Sequence, residues 1–222
     1  MKKFIKLFSI TILLLAILIL YKNYFGLTRD EAMIQYLIFA AIIIIGSLAF
    51  NIIYGLHYSK KINRIAIEAI KGGNIKKSIE ENEVLLKKVK GEFLKNLIRL
   101  NIAVSYSLLG EFEKGKEILV NDIEVRRLRK NEVLNYYINL ATVYFYTKEK
   151  EKAINIMRKY EGEFERVEGD PLYGSRVNLL KIYKYIVEKQ FDKGKELFIK
   201  TKERWPEYLM ESDYNKIEEF LG

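Results

Sequence analysis

The side chains capable of acid–base, nucleophilic or metal chemistry are few in this chain and poorly spaced for it. His57 is the only histidine and cysteine is absent, so neither a ligand cluster nor a nucleophile–base–orienter set can be assembled. His57 stands one residue past an apolar run, which suits a structural place at the level of lipid headgroups. The carboxylate pairs Glu80/Glu81 and Glu218/Glu219 lie in lysine-rich amphipathic stretches, where pairing with lysines one helical turn away accounts for them. Gly72-Gly73-Asn74 lacks the Lys-Ser/Thr that completes a phosphate loop and reads as a turn between helices. The densest basic stretch is Arg126-Arg127-Leu128-Arg129-Lys130. It reads either as a patch for anionic lipid or RNA, or as a solvated helix end whose cations complement the dipole. No aromatic residue interleaves it, which favours the second. The expectation is a protein that is not an enzyme, with no cofactor, no metal and no nucleic-acid partner.

The element that must position everything else is the membrane. Residues 4–21 and 34–56 are apolar runs; the first carries only Lys6 and the second carries no charge. A hydrocarbon core about 30 Å thick takes roughly 20 helical residues to cross, and both runs suffice. Lys2, Lys3 and Lys6 flank the first run, and Lys60, Lys61 and Arg64 follow the second. The connecting stretch sets Lys22 and Arg29 against Asp30 and Glu31. Cations near span ends are retained on the cytoplasmic side. The pattern predicts a transmembrane hairpin over residues 1–57 of a bacterial-type, multi-pass inner (cytoplasmic) membrane protein, with both termini cytoplasmic. A cleaved signal peptide is the competing reading of the first run, but its apolar region is long and no small-x-small site precedes Lys22. Gly46, Ser47 and Ala49 in the second run would let another helix approach closely.

Residues 58–222 differ in character. The whole chain has a net charge of +9; the excess left after the apolar runs is mild and does not argue for nucleic acid. With two prolines in the chain and abundant Ile, Leu, Lys, Glu and Tyr, the fold class is expected to be all-α. Apolar residues recur at three and four, and the sequence repeats itself. Asn101-Ile-Ala-Val-Ser-Tyr-Ser-Leu-Leu-Gly-Glu-Phe-Glu-Lys-Gly aligns with Asn139-Leu-Ala-Thr-Val-Tyr-Phe-Tyr-Thr-Lys-Glu-Lys-Glu-Lys-Ala at a spacing of 38. Weaker copies cover residues 180–194 and 65–78. The small residue closing each unit falls at Ser78, Gly115, Ala153 and Gly194, at periods of 37, 38 and 41. Each unit is expected to be a helix, a tight turn and a second helix. Ala103 and Ala141 permit close approach of the two helices, and Tyr106, Tyr144 and Tyr185 fill the groove between units. Gly73 and Gly110 suit the left-handed conformation that ends a helix. The amphipathic segment Met210–Leu221 is expected to cap the open end.

The small-x-x-Tyr pattern, the Gly-Glu-Phe-Glu-Lys-Gly that follows it at 110–115, and Leu119 resemble the tetratricopeptide repeat family. Pro206 also sits where that family often closes a repeat, and the resemblance covers roughly residues 59–206. Lys150 departs from the family's turn aromatic, Ile182 from its small residue, and the periods exceed its usual length of about 34. The resemblance implies a TPR-like α-solenoid of about four helix pairs over residues 58–222, with a C-terminal capping helix. Its first helices would line a concave face that binds peptides or protein segments. Positions implied on that face are Asn101, Asn135, Asn139, Thr142, Tyr146, Arg176 and Tyr183. Asn101 and Asn139 are equivalent in adjacent units; such amides hold a peptide backbone or satisfy helix neighbours. The family's carboxylate clamp is not carried over, because Asn63, Ile67 and Asn135 occupy several of its places.

The expected function is a membrane-anchored scaffold or adaptor that binds a protein or peptide partner in this groove while the lipid bilayer confines it. The alternative is an accessory or regulatory subunit of a membrane transport, secretion or envelope-assembly complex, with the hairpin as the interface. Homo-oligomerisation is left open.

Overall fold

The computed structural model describes residues 16–17, 19–206 and 211–221, and among them every regular element is helical. The chain divides into two compact units, Met1–His57 and Tyr58–Gly222.

In the first unit, residues 19–25 are helical and end at Gly26, whose φ is 61°. Helix α1 (Arg29–Gly72) follows. Its start is a capping box, in which two otherwise unpaired backbone donors are satisfied reciprocally. The Glu31 N–H donates to the Thr28 hydroxyl at 3.4 Å, and the Glu31 carboxylate accepts from the Thr28 N–H at 2.9 Å. An 18-residue window of α1 has a mean hydropathy of 2.5, and Ile42, Ile44, Leu48 and Ile52 on it are exposed. An apolar surface of this extent suits lipid rather than water. At about 1.5 Å per residue, residues 34–56 alone reach about 35 Å, enough to cross. Among the described residues, one helix near the N-terminus is therefore long and apolar enough to span a membrane. The expected first span, residues 4–21, lies outside the described residues except for 16, 17 and 19–21.

The second unit holds the end of α1, then α2 (Ile75–Lys88), α3 (Glu92–Leu108) and α4 (Phe112–Glu117), the last continued by a π turn over Ile118–Asp122. α5 (Lys130–Tyr146), α6 (Lys150–Lys159), α7 (Glu161–Arg166), α8 (Gly174–Val187), α9 (Phe191–Arg204) and α10 (Glu211–Leu221) complete it. α3 packs on α2, α4 and α5; α5 packs on α6 and α8; α8 packs on α9 and α10.

Besides Gly91 before α3, whose φ is 93°, four turns of the second unit carry a positive-φ residue: Gly73, Gly110, Lys148 and Lys189, with φ of 66°, 77°, 64° and 59°. Three of them close alike. The N–H groups of Glu111, Glu149 and Gln190 reach back to the carbonyls of Tyr106, Tyr144 and Tyr185 at 2.9, 2.9 and 2.8 Å. That is the six-to-one bond of a Schellman ending, which satisfies a carbonyl the helix itself leaves open. Glycine adopts this conformation freely, whereas lysine does so against a steric cost of about 1–2 kcal/mol. Five residues beyond each left-handed position stands a buried small residue: Ser78, Gly115, Ala153 and Gly194. A Cβ on Gly115 would come within 3.0 Å of the Ala103 carbonyl oxygen, so α4 meets α3 at backbone distance.

The core is a succession of apolar clusters between neighbouring helices. Leu100, Leu119 and Leu140 belong to one, Ile138, Phe164 and Leu180 to the next, and Leu179, Ile182 and Ile217 to the last. Two irregularities lengthen the intervals between turns. The π turn leads into the loop before α5, and the helix begun at Lys150 breaks at Tyr160 before resuming as α7. After α7 the chain enters α8 at Gly174, where a Cβ would lie 2.6 Å from both the Glu168 carbonyl oxygen and the Trp205 ring.

Candidate functional site

Residues four, seven and eleven apart share one face of a helix. Asn135, Asn139, Thr142 and Tyr146 form such a stripe along α5, and Arg176 and Tyr183 form another on the adjoining α8. The two stripes meet in two clusters.

The first cluster is polar. The Arg176 guanidinium donates to Asn135 Oδ1 at 3.2 Å and to Asn139 Oδ1. The Asn139 amide donates in turn to the Asn135 carbonyl at 2.7 Å and to its Oδ1 at 3.0 Å. Arg176 is half-buried, and desolvation lowers its pKa from the ordinary 12.5 to about 10, with Tyr173 opposing. It remains a cation at neutral pH, and among the described residues no carboxylate forms an ion pair with it. A guanidinium has five N–H donors, and the two asparagines hold it in one orientation. Neutral amides orient a cation without cancelling its charge, so the cluster can accept an anionic or carbonyl-rich group from outside.

The second cluster is aromatic. The hydroxyls of Tyr146 and Tyr183 lie 2.6 Å apart, and the Tyr146 O–H donates to the carboxylate of Asp213 on α10. Tyr146 stacks on Phe112 with centroids 4.0 Å apart and planes at 6°. The Lys216 ammonium stands 4.5 Å from the Tyr146 centroid and 5.4 Å from that of Phe112, within reach of a cation–π attraction. Burial pushes the Tyr183 hydroxyl well above its usual range. It also raises the Asp213 carboxyl to about 6, with Lys216 opposing.

Of the residues expected on a binding face, Asn135, Asn139 and Arg176 come together, as do Tyr146 and Tyr183. Thr142 lies between them on α5, its hydroxyl donating to the Ile138 carbonyl at 2.8 Å. Asn101 joins neither cluster; its amide is directed at the Ile62 carbonyl, 3.5 Å away. The amides of Asn101 and Asn139 thus both serve neighbouring helix groups. Phe112, Asp213 and Lys216 were not among the expected residues. Phe112 has a sequence signal as the turn aromatic, but it reaches Tyr146 as a stacking partner. Asp213 and Lys216 look like solvated helix residues, and nothing local marks a bond across 67 positions.

The basic run 126–130 needs a correction. Its Arg126 and Arg127 occupy a 3₁₀ turn, Arg129 precedes α5, and Lys130 opens that helix. The cations therefore stand at a helix N-terminus, where the dipole opposes them. They are accommodated otherwise: Arg126 lies 3.0 Å and Arg127 3.8 Å from the Glu124 carboxylate, and Arg129 sits 4.4 Å from the Phe93 centroid. One carboxylate of each pair has an ion partner: Glu81 has Lys77 one turn away at 3.7 Å, as expected, whereas Glu218 pairs at 2.6 Å with Lys202 of α9, across helices rather than along one. Glu149 accepts from Lys116 at 2.8 Å and Lys152 at 2.5 Å, which lowers its pKa to about 2 and links α4 to the start of α6.

The described chain is thus an all-α protein with a membrane-length apolar helix near its N-terminus and a composite polar and aromatic face on α5 and α8. No family model, curated protein or solved structure matches it.

Proposed function

We propose that the chain is a membrane-anchored adaptor whose second unit is a TPR-like solenoid that binds a segment of a partner protein along the α5–α8 face. The observation that carries this reading is Arg176: a half-buried guanidinium oriented by two amides and left without a carboxylate among the described residues. An unpaired buried charge destabilises a protein that has no use for it. A partner carboxylate or carbonyl row would complete it with charge-assisted hydrogen bonds. The recurrence of left-handed turns at 73, 110, 148 and 189 supports a stacked-repeat architecture. In the same reading the anchor is a hairpin with both termini cytoplasmic. The turn at Gly26 and the Tyr21–Phe39 ring contact, with centroids 6.5 Å apart, support that arrangement. Holding the unit at a membrane raises the effective concentration of whatever it binds there.

Two experiments test this. A photo-crosslinking side chain at Thr142 should capture a partner in cells, and one at the exposed Asn155 on α6 should not; equal capture at both would count against the face. For the anchor, single cysteines at Asn23 and Lys202 are read with a membrane-impermeant maleimide in intact cells. Only the first should label, and labelling of the second alone would overturn the topology.

The second reading, an accessory subunit that docks through the anchor, draws on Gly46. Among the described residues, its own turn of helix aside, nothing lies within 4 Å of where its Cβ would stand, and a small residue of this kind lets another helix approach closely. Exchanging the anchor for an unrelated one should leave an adaptor functional and disable such a subunit.

A further inference from the structure

We propose that α10 is a resident ligand of this protein. It occupies the tyrosine end of the α5–α8 face in place of a partner helix carrying an acidic, an aromatic, a basic and an aliphatic residue at the spacing of Asp213, Tyr214, Lys216 and Ile217. The inference rests on reading that face as the partner site.

The side chains of α10 separate into two functions. Tyr214 and Ile217 are buried with Leu179, Ile182 and Phe198, and the Tyr214 hydroxyl donates to the Trp205 carbonyl at 2.7 Å. Those contacts, on α8, α9 and the residue that ends α9, cover the last helix pair. Asp213 and Lys216 do something else. They reach Tyr146 at the end of α5 and Phe112 at the start of α4, residues of earlier helix pairs. An acid accepting from a tyrosine hydroxyl and an ammonium over the same ring, three residues apart on one helix, constitute a recognition pattern. Asp213 and Lys216 stand at i and i+3 on one side of α10, a spacing by which a helix is read in a groove.

The fit is also incomplete in a way that leaves room for a stronger occupant. Arg176 lies seven residues, roughly 10 Å of helix, from Tyr183, and among the described residues its hydrogen bonds go to Asn135 and Asn139 of α5. A partner helix two turns longer, with a carboxylate at its far end, would engage both clusters, whereas α10 engages one. Asp213, for its part, is held by a neutral hydroxyl, with Lys216 of its own helix as its nearby cation. The partner class that follows is an amphipathic helix of mixed charge and net acidic end, and α10 competes with it.

The test uses the full chain in detergent with a protease site placed within residues 207–210, cut after folding. A fluorescent peptide of residues 211–222 is then added. The nicked protein should exchange its own helix for the peptide, and the uncut chain should take up peptide about tenfold less. A peptide with Asp213→Lys and Lys216→Asp should exchange about tenfold more weakly than the native one. Absence of exchange, equal exchange by the charge-swapped peptide, or loss of the cooperative melt on cutting would each overturn the proposal and leave α10 as a purely structural cap. Partner capture at Thr142 that persists in that event would keep the binding face and discard only the resident-ligand inference.

Discussion

Replacing Asp213 by asparagine tests the aromatic cluster through its dependence on pH. Burial raises the Asp213 carboxyl from 3.8 to about 6, a difference of about two units. At 1.36 kcal/mol per unit, this amounts to at most about 3 kcal/mol. The sign follows from linkage. Below about pH 4 the carboxyl is protonated in folded and unfolded chains alike, and its contribution is intact. As pH rises through 6, the folded protein must hold a desolvated carboxylate, and that stability is lost. The groups facing Asp213 are Lys216 on its own helix, Tyr146 on α5 and Tyr183 on α8. Burial holds the Tyr183 hydroxyl protonated across this range. Asparagine keeps the shape and an acceptor for the Tyr146 hydroxyl without the charge. The variant should therefore match the parent near pH 4 and exceed it by about 2–3 kcal/mol at pH 7.5, a rise of roughly 5–10 °C in Tm for a chain of this size. Thermal melts followed by circular dichroism in detergent between pH 4 and 8 measure it. Parallel pH profiles for the two proteins would refute the argument, since another group would then have to carry the titration.

Two further substitutions probe the frame. Gly174→Ala places a Cβ 2.6 Å from the Glu168 carbonyl and the Trp205 ring, and overpacking of this kind costs about 1–3 kcal/mol. Chemical denaturation should show that loss, together with a change in Trp205 fluorescence. Lys148→Gly relieves a left-handed lysine whose φ is 64°; after glycine's own entropic penalty, about 0.5–1 kcal/mol of stability should remain, read as a higher Tm.

The pattern of helix and turn was legible in the sequence because each turn imposes a local requirement. Gly110 supplies the left-handed residue and Gly115 the close approach; the Tyr106 carbonyl that closes the helix is main chain and carries no residue signal. Lys148 and Lys189 carry no such signal by themselves; they are found only by counting 38 and 41 residues from the preceding turn. The Thr28-x-x-Glu31 capping box is a helix-start signal that goes unread when Glu31 is weighed only as a loop charge. The break at Tyr160 was not legible, since residues 150–166 run on in amphipathic character. On the site, Asn135, Asn139, Thr142, Tyr146, Arg176 and Tyr183 were implied by the repeat-family resemblance, and the structure sets them in one stripe on each of α5 and α8. The Asp213 and Lys216 contacts were not legible, because polar residues on a terminal helix give no hint of a partner far back in the chain. The basic run was misplaced for a related reason: composition marks charge density but not which end of a helix carries it.

In the adaptor proposed above, the α5–α8 face binds its partner through Arg176. Arg176→Gln retains an amide donor toward Asn139 while removing the half-buried cation. Hydrogen bonds to a charged group contribute about 1.5–3 kcal/mol, so capture of the partner crosslinked at Thr142 should fall by roughly ten- to a hundredfold, while the melting temperature of the protein holds or rises. Undiminished capture by the variant would contradict the account.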